Sequence, residues 1–422
     1  MKKHLSIYIL LITHFYLVAT DPSSLDTSFG KTNSGVTNLD LALDSTNEAK
    51  AIAVQLDGRI ITAGYAGSNG SIVRYNNRGT LDLAFINNNS QDSTSAIPGT
   101  ITLSLGTQSA IYAMAVNPVD NRIIVGGYAT FNNSNNIFLA RYNPDGSQDL
   151  NFGTAGTGYV ITSFPNDSQI NGIALQSNGR IVIAGYATVN GFRNALIARY
   201  LANGILDTTF NTTGYITTLM GSTIFTQAYG VALQTDGKIV VVGQTQVSAD
   251  SPQETIIARY TSTGSLDTTF NSSSLTPGYI LPFSSYVSSI GYSIAIDNIG
   301  NIVIAGSTNQ TELGFSNQQY TIARFTSHGT PDLNFNNSGY IFSNIGLQAH
   351  DVLIQPDQKI VACGFNYTNS YNLIVNRYNT DGSPDTSFNF GPNQADFNAQ
   401  GNAIALQADG KIVVTGTISS PL

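Results

Sequence analysis

The chain has 422 residues, of which 10% are charged, and its 18 lysines and arginines stand against 26 aspartates and glutamates for a net charge of −8. A surface of that sign does not seek nucleic acid, and a single cysteine, Cys363, excludes internal disulfides. Forty glycines and no tryptophan suit a turn-rich β-protein and argue against repeats of the WD40 kind.

Residues 1–20 open with Lys2 and Lys3 and continue as LSIYILLITHFYLVA. A basic start before an apolar run too short to span a bilayer easily reads as a secretory signal peptide, cut after Ala19. No cysteine follows to carry a lipid, and no later stretch reaches the length of a membrane helix, so no integral span is expected once the signal is removed. The end of this segment has a second reading. Aligned on LDxxF, Phe15–Phe29 matches Ile256–Phe270 position for position, so Phe15–Thr20 could serve as a closing strand. Residues 21–422 read as a single domain, in which the Asn/Ser runs are loops within repeats.

A repeated stretch organises that domain. VALQTDGKIVVVG (Val231–Gly243) recurs as Ala51–Gly64, Ala113–Gly127, Gly172–Gly185, Ser293–Gly306, Asp351–Gly364 and Ala403–Gly416. The closing glycines are spaced by 63, 58, 58, 63, 58 and 52 residues. Each copy reads as a hairpin: two short Val/Ile-rich runs flank a turn containing glycine. Runs such as IVVV are apolar on both faces and should be buried on both sides. The closing glycine would permit close backbone approach or a bend at the strand end.

A second motif, RYxxxGxLDxxF or a variant of it, follows the first six hairpins. It places Arg74/Asp82, Arg141/Asp149, Arg199/Asp207, Arg259/Asp267, Arg324/Asp332 and Arg377/Asp385 eight residues apart. A last strand then begins, usually at Gly-Tyr, as in GYVITSF and GYITTL. Four strand positions, A to D, in units of about 60 residues predict an all-β, seven-bladed β-propeller of four-stranded antiparallel blades. The C-terminal unit supplies only positions A and B. Phe15–Thr20 as C and Thr37–Leu43 as D would close the ring.

ALQxDGKIVVxG followed by IARYxxxGxLDxxF resembles the delta-60 repeat family of secreted and surface-attached bacterial proteins, over about Leu25 to Thr417. The resemblance implies a propeller and an extracellular setting, and transfers no catalytic residue. The chain departs from the pattern where Asp297–Asn301 replaces QxDGK and where Gln358 replaces the turn glycine.

Chemistry-bearing residues are few. A constant Arg–Asp offset is best explained structurally, either by a paired guanidinium and carboxylate or by an aspartate capping its own LDxxF turn. His328 occupies a turn position, and no Ser-His-Asp set, HExxH or CxxC occurs. Asn143–Asp149 and Asn379–Asp385 are oxygen-rich, but other repeats put Arg78, Asn203, Thr263 or His328 at the middle acid, so they read as turns, not calcium sites. Asp250/Glu254 and Asp44/Glu48 read as solvated loop acids. No cofactor or metal is expected.

The A–B turns and C–D connections are nearly constant, whereas the B–C and D–A loops vary and would lie on the opposite face. The B–C stretches hold Tyr128, Phe131, Tyr186, Phe192, Phe315, Phe365, Tyr367 and Tyr371 among Asn, Ser and Gln. Aromatic faces beside amides suit sugars or extended peptides, though Tyr65, Tyr128 and Tyr186 could equally pack between blades. The expected function is a secreted or cell-surface, non-catalytic binding module for an extracellular protein, peptide or glycan. The alternatives are a polysaccharide-active enzyme with its site at the same mouth, or a purely structural envelope protein.

Overall fold

The computed structural model describes residues 7–11, 19–21, 24–26, 28–30, 36–37, 39, 41, 47–85, 97–154, 156–221, 223–310, 318–344, 346–367, 370–388 and 399–418. Among them there is no helix, hence none long and apolar enough to cross a membrane.

The N-terminal strands are β1 (Ile7–Leu11), β2 (Ala19–Asp21), β3 (Ser24–Leu25) and β4 (Val36–Thr37). The first repeat gives β5 (Asn47–Val54), β6 (Ile60–Ala66), β7 (Asn69–Tyr75) and β8 (Thr100–Leu103). The second gives β9 (Ser109–Val116), β10 (Ile123–Phe131), β11 (Ser134–Tyr142) and β12 (Tyr159–Thr162). The third and fourth give β13 (Ser168–Leu175), β14 (Ile181–Val189), β15 (Phe192–Tyr200) and β16 (Tyr215–Thr218), then β17 (Phe225–Leu233), β18 (Ile239–Gln246), β19 (Glu254–Tyr260) and β20 (Tyr279–Ile280). The fifth gives β21 (Ser288–Ile296), β22 (Ile302–Asn309), β23 (Gln318–Phe325) and β24 (Tyr340–Ser343). The chain ends with β25 (Gln348–Ile354), β26 (Ile360–Tyr367), β27 (Tyr371–Tyr378), β28 (Ala399–Leu406) and β29 (Ile412–Ile418).

The expectation of seven equal, four-stranded antiparallel blades is corrected by this pairing. Four sheets are built wholly from complete four-strand sets, not seven. Three are single, β5–β8, β9–β12 and β21–β24, and one is an eight-stranded sheet that unites β13–β16 with β17–β20. The union arises because the long β14–β15 hairpin reaches the next repeat's first strand, where Arg193 bridges Phe225 in parallel. Two further sheets depart from the pattern. The order β25-β26-β27 has three strands, and the stretch that would supply a fourth, 389–398, lies outside the described residues. The C-terminal sheet, β28-β29-β1-β2-β3 with β4 on β1, is mixed.

The N-terminal pairing also differs from the expected closure. The partner of β29 is β1, aligned in parallel from Ile7–Ile412 to Leu11–Gly416. Thus the apolar run read as a signal peptide contributes a strand here. Of Phe15–Thr20 only Ala19 and Thr20 are described, and they belong to β2. From Thr37–Leu43, Thr37 belongs to β4 and pairs in parallel with Leu10.

Contacts divide the chain into two compact units: residues 1–162, 367–376 and 386–422, and residues 163–366 and 377–385. Within the second unit the second strands show why both faces are apolar. Ile239 and Val241 of β18 pack with Val182, Ala184 and Ile197, while Val240 and Val242 pack with Ile294, Ile302 and Ile304. Alternate side chains of one strand thus enter two different cores. Large aromatics fill these cores, with Phe210, Phe270 and Tyr260 fully buried.

Candidate functional site

Charged residues at repeat-fixed positions form clamps. Arg Nε meets Asp Oδ2 at 2.9 Å for Arg74/Asp82, at 2.8 Å for Arg141/Asp149, Arg199/Asp207, Arg259/Asp267 and Arg324/Asp332, and at 2.7 Å for Arg377/Asp385. The two structural readings of the aspartate are both realised, one on each oxygen. While Oδ2 holds the guanidinium, Oδ1 accepts the amide two residues on, as from Thr209 at 3.1 Å, Thr269 at 3.1 Å and Asn334 at 3.0 Å. The same guanidinium lies over the buried LDxxF ring, 4.9 Å from the Phe210 and Phe270 centroids. It also reaches the next repeat: Arg199, Arg259 and Arg324 each donate at 2.5 Å to the carbonyls of Ser262, Ser327 and Thr380. Asp267 is mostly buried, which opposes its ionisation, yet the hydroxyl and amide of Thr269, with Arg259 and Lys238, hold its carboxyl down at about 2. These groups are occupied in holding the fold.

The closing glycine has a steric cause. Each first strand carries a one-residue bulge opposite it, so two residues of the first strand meet one of the second. The bulge drives a carbonyl toward the glycine: a Cβ at Gly243 would sit 1.9 Å from the Gln227 oxygen, and one at Gly185 1.9 Å from that of Gln169. The residues left out of register are Lys50, Tyr112, Asn171, Tyr229, Tyr292, His350 and Asn402. All are only partly buried.

In the second unit the first strands β13, β17, β21 and β25 stand side by side, so these bulge residues form a row. Asn171 donates to the Ala228 carbonyl at 2.8 Å. The Tyr229 and Tyr292 rings are 5.7 Å apart, Tyr292 and His350 5.1 Å, and His350 and Phe365 5.2 Å. Gln348 links the last members, its Oε1 lying 3.3 Å from the Tyr292 hydroxyl and 3.0 Å from His350 Nε2. Burial pushes the Tyr292 phenol up to about 12, and raises Tyr229 as well. Both therefore stay neutral at ordinary pH, able to donate and accept hydrogen bonds. In the first unit Asn402 makes the matching contact, donating to the Ala49 carbonyl at 2.9 Å. There the Tyr112 ring lies 6.4 Å from Tyr65 and 6.1 Å from Tyr128.

The sequence-derived aromatics divide between this row and the hairpin ends. Tyr128 and Phe365 join bulge residues, as above. Tyr186 is buried, with the Arg193 guanidinium 4.3 Å from its ring centroid. Phe131 and Phe192 are 37% and 42% exposed, and Tyr367, 55% exposed, meets Tyr371 at 5.2 Å. Phe315 lies outside the described residues. The B–C stretches Tyr128–Asn136 and Tyr186–Asn194, read as loops, are paired strand closed by two-residue turns at Asn132-Asn133 and Asn190-Gly191, all with positive φ. Such turns match strand twist and extend the hairpin. Sequence reasoning missed the bulge row. Its signal was one fixed position, just before the small residue opening each repeat, that holds Lys, Tyr, Asn or His.

The remaining chemistry is sparse. Glu48 is on β5 and pairs with Lys50, not in a loop, and Asp44 lies outside the described residues. Glu254 begins β19, where burial raises its pKa, and Asp250 is exposed. Asp145 and Asp381 each accept from the backbone of the serine two residues on, at 2.9 Å, as turn acids do. Among the described residues no group of three His, Cys, Asp or Glu could hold a metal. His328 is exposed in its turn. Cys363 is fully buried, which pushes its thiol well up and away from reactivity.

Six stretches, residues 55–85, 120–152, 176–210, 234–270, 300–335 and 355–388, match a family described as a domain of unknown function (DUF5122) beta-propeller. No curated protein matches the sequence. Among solved structures, a protein from Lactobacillus plantarum aligns over 90% of this chain and 94% of its own, at 12% identity and a TM-score of 0.47. PorZ, a surface component of the type-IX secretion system of Porphyromonas gingivalis, aligns over 94% of this chain and 51% of its own, at 12% identity and 0.40. The polysaccharide lyase Uly1 aligns over 82% and 81%, at 12% identity and 0.45. Likeness at this level says nothing about activity. Each family match ends on a clamp phenylalanine, from Phe85 to Phe388, and the chain is a β-propeller repeat protein.

Proposed function

We propose that this chain is a secreted or cell-surface binding protein of the delta-60 repeat type, without catalysis, whose ligand is a glycan or an extended peptide. The observation that carries this reading is the row Asn171, Tyr229, Tyr292 and His350. Its rings sit 5.1 to 5.7 Å apart, partly open, with amide and phenol groups between them. Ring faces stack on apolar sugar or side-chain surfaces, while neutral phenols and amides satisfy hydroxyl or peptide groups. The exposed ring of Phe192, at a hairpin end in the same unit, supplies a further contact of the same chemistry.

The row does not suit hydrolysis, which needs two converging carboxylates with one kept protonated. Its neighbouring acid, Asp351, is held by Ser293 Oγ at 2.5 Å and the Val352 amide at 2.9 Å. The test is a glycan and peptide array probed with the full chain, then with Tyr292→Ala, Phe192→Ala and Tyr371→Ala. Loss of at least about tenfold in affinity with Tyr292→Ala is expected. A ligand held equally well by all three variants would place recognition elsewhere, and turnover of a bound polysaccharide would refute the non-catalytic reading.

A further inference from the structure

One clamp lacks a component the others have. In five of the six Arg–Asp clamps the aspartate receives a second cation from the residue just before a second strand, and Asp26, which has no arginine eight residues before it, receives one from the same position. Arg59 reaches Asp82 at 2.8 Å, Arg122 reaches Asp149 at 3.1 Å and Arg180 reaches Asp207 at 2.9 Å. Lys238 reaches Asp267 at 3.3 Å, Lys359 reaches Asp385 at 2.7 Å and Lys411 reaches Asp26 at 3.2 Å. In the fifth repeat this position is Asn301. Its amide turns back to Asp297, donating to Oδ2 at 2.9 Å, and among the described residues Arg324 is the only cation on Asp332.

A cavity of about 520 Å³ opens there, within the second unit. Its lining includes three carboxylates, Asp297, Asp332 and Asp381, against one guanidinium, Arg324. Asp332 is more than nine-tenths buried. Val303, Ile354 and Ile360 give the same cavity apolar wall. In the other repeats the aspartate at this place receives a lysine or arginine charge, and an aliphatic wall beside an acidic floor suits the stem of such a side chain.

We propose that this cavity is a receptor for an alkylammonium group from outside the chain, a lysine side chain presented by a partner peptide. It would take the place that Lys238 or Lys359 fills in its own repeat. The site involves the turn Asp297–Asn301 and the end of β23, none of the bulge row, so it stands or falls apart from the ligand proposed above.

The test is titration of the full chain with Nα-acetyl-lysine methylamide, followed by calorimetry, with Asn301→Lys and Asp297→Asn as variants. Saturable one-to-one binding is expected, reduced at least about tenfold in Asn301→Lys, whose own ammonium fills the cavity, and weakened in Asp297→Asn. The thermal midpoint of Asn301→Lys should be unchanged or raised, which separates occupancy from misfolding. No saturable binding, or binding undiminished in Asn301→Lys with its midpoint preserved, overturns the proposal. Calcium chloride raising the wild-type midpoint while the amine does not would also overturn it, by assigning the cavity to a metal ion.

Discussion

Replacing Gly243 with alanine tests whether the bulge dictates the closing glycine. The new Cβ would stand 1.9 Å from the Gln227 oxygen and 2.9 Å from the Ala228 and Gln227 backbone carbons, where ordinary contact needs more than 3 Å. Neither partner can give easily. Gly243 is paired with Ala228 on one side and Ile256 on the other, so relief requires a backbone shift of about 1 Å or more in a ladder bonded on both edges. Overpacking costs about 1–3 kcal/mol, and loss of two ladder hydrogen bonds adds about 1 kcal/mol each. The expected loss is about 3–5 kcal/mol, at the top of the range for single substitutions. Gly191→Ala is the control. Unlike Gly243 it has a positive φ, +82°, and nothing lies within 4 Å of a Cβ built there, so it incurs only the left-handed penalty of about 1–2 kcal/mol. Urea unfolding followed by far-ultraviolet circular dichroism compares the two. If Gly243→Ala shifts the midpoint no more than Gly191→Ala, the bulge is not what selects glycine.

Two further predictions concern the clamps. The Asp267 carboxyl sits at about 2 in the folded chain, below its unfolded value near 4, so its contribution is present above about pH 4 and is lost as the pH falls toward 2. Urea midpoints between pH 5 and pH 2 should fall less steeply for Asp267→Asn than for the wild type, and equal slopes would contradict the assignment. Arg259→Met leaves Lys238 as the only cation on Asp267, strips the Ser327 carbonyl of its donor and uncovers Phe270. It should cost about 3–5 kcal/mol, and less in an Asp267→Asn background, so strictly additive losses would refute the pair.

The hairpins were legible because Val/Ile runs around a glycine-containing turn have few other ways to be buried, and the clamps because a residue pair at constant offset is visible without coordinates. The strand count per sheet was not. It depends on where Phe225 meets Arg193 and on which chain segment covers β29, both matters of distant contact. Ile7–Leu11 shows the difficulty, since an apolar run satisfies the pattern of a leader and of a strand equally. The B–C segments were misread by ending the second strand at its glycine, although Asn190-Gly191 signals a tight turn. Of the candidate site, the exposed hairpin-end aromatics Phe131, Phe192 and Tyr367 were named by residue type. The bulge row was not, because a bulge shifts register by one residue without leaving any mark in composition.

Because Arg199, Arg259 and Arg324 each grip both their own aspartate and the following repeat's turn, neighbouring repeats there are buttoned together through a fixed interval of eight residues. Lengthening that interval by even one residue would unfasten two repeats at once, whereas a turn such as Asn190-Gly191, where nothing lies within 4 Å of a Cβ at Gly191, can change with less consequence. Variety is therefore cheap at the tips and forbidden at the fastenings, so a lineage of such proteins would be expected to diversify its ligands while keeping a single mechanical plan.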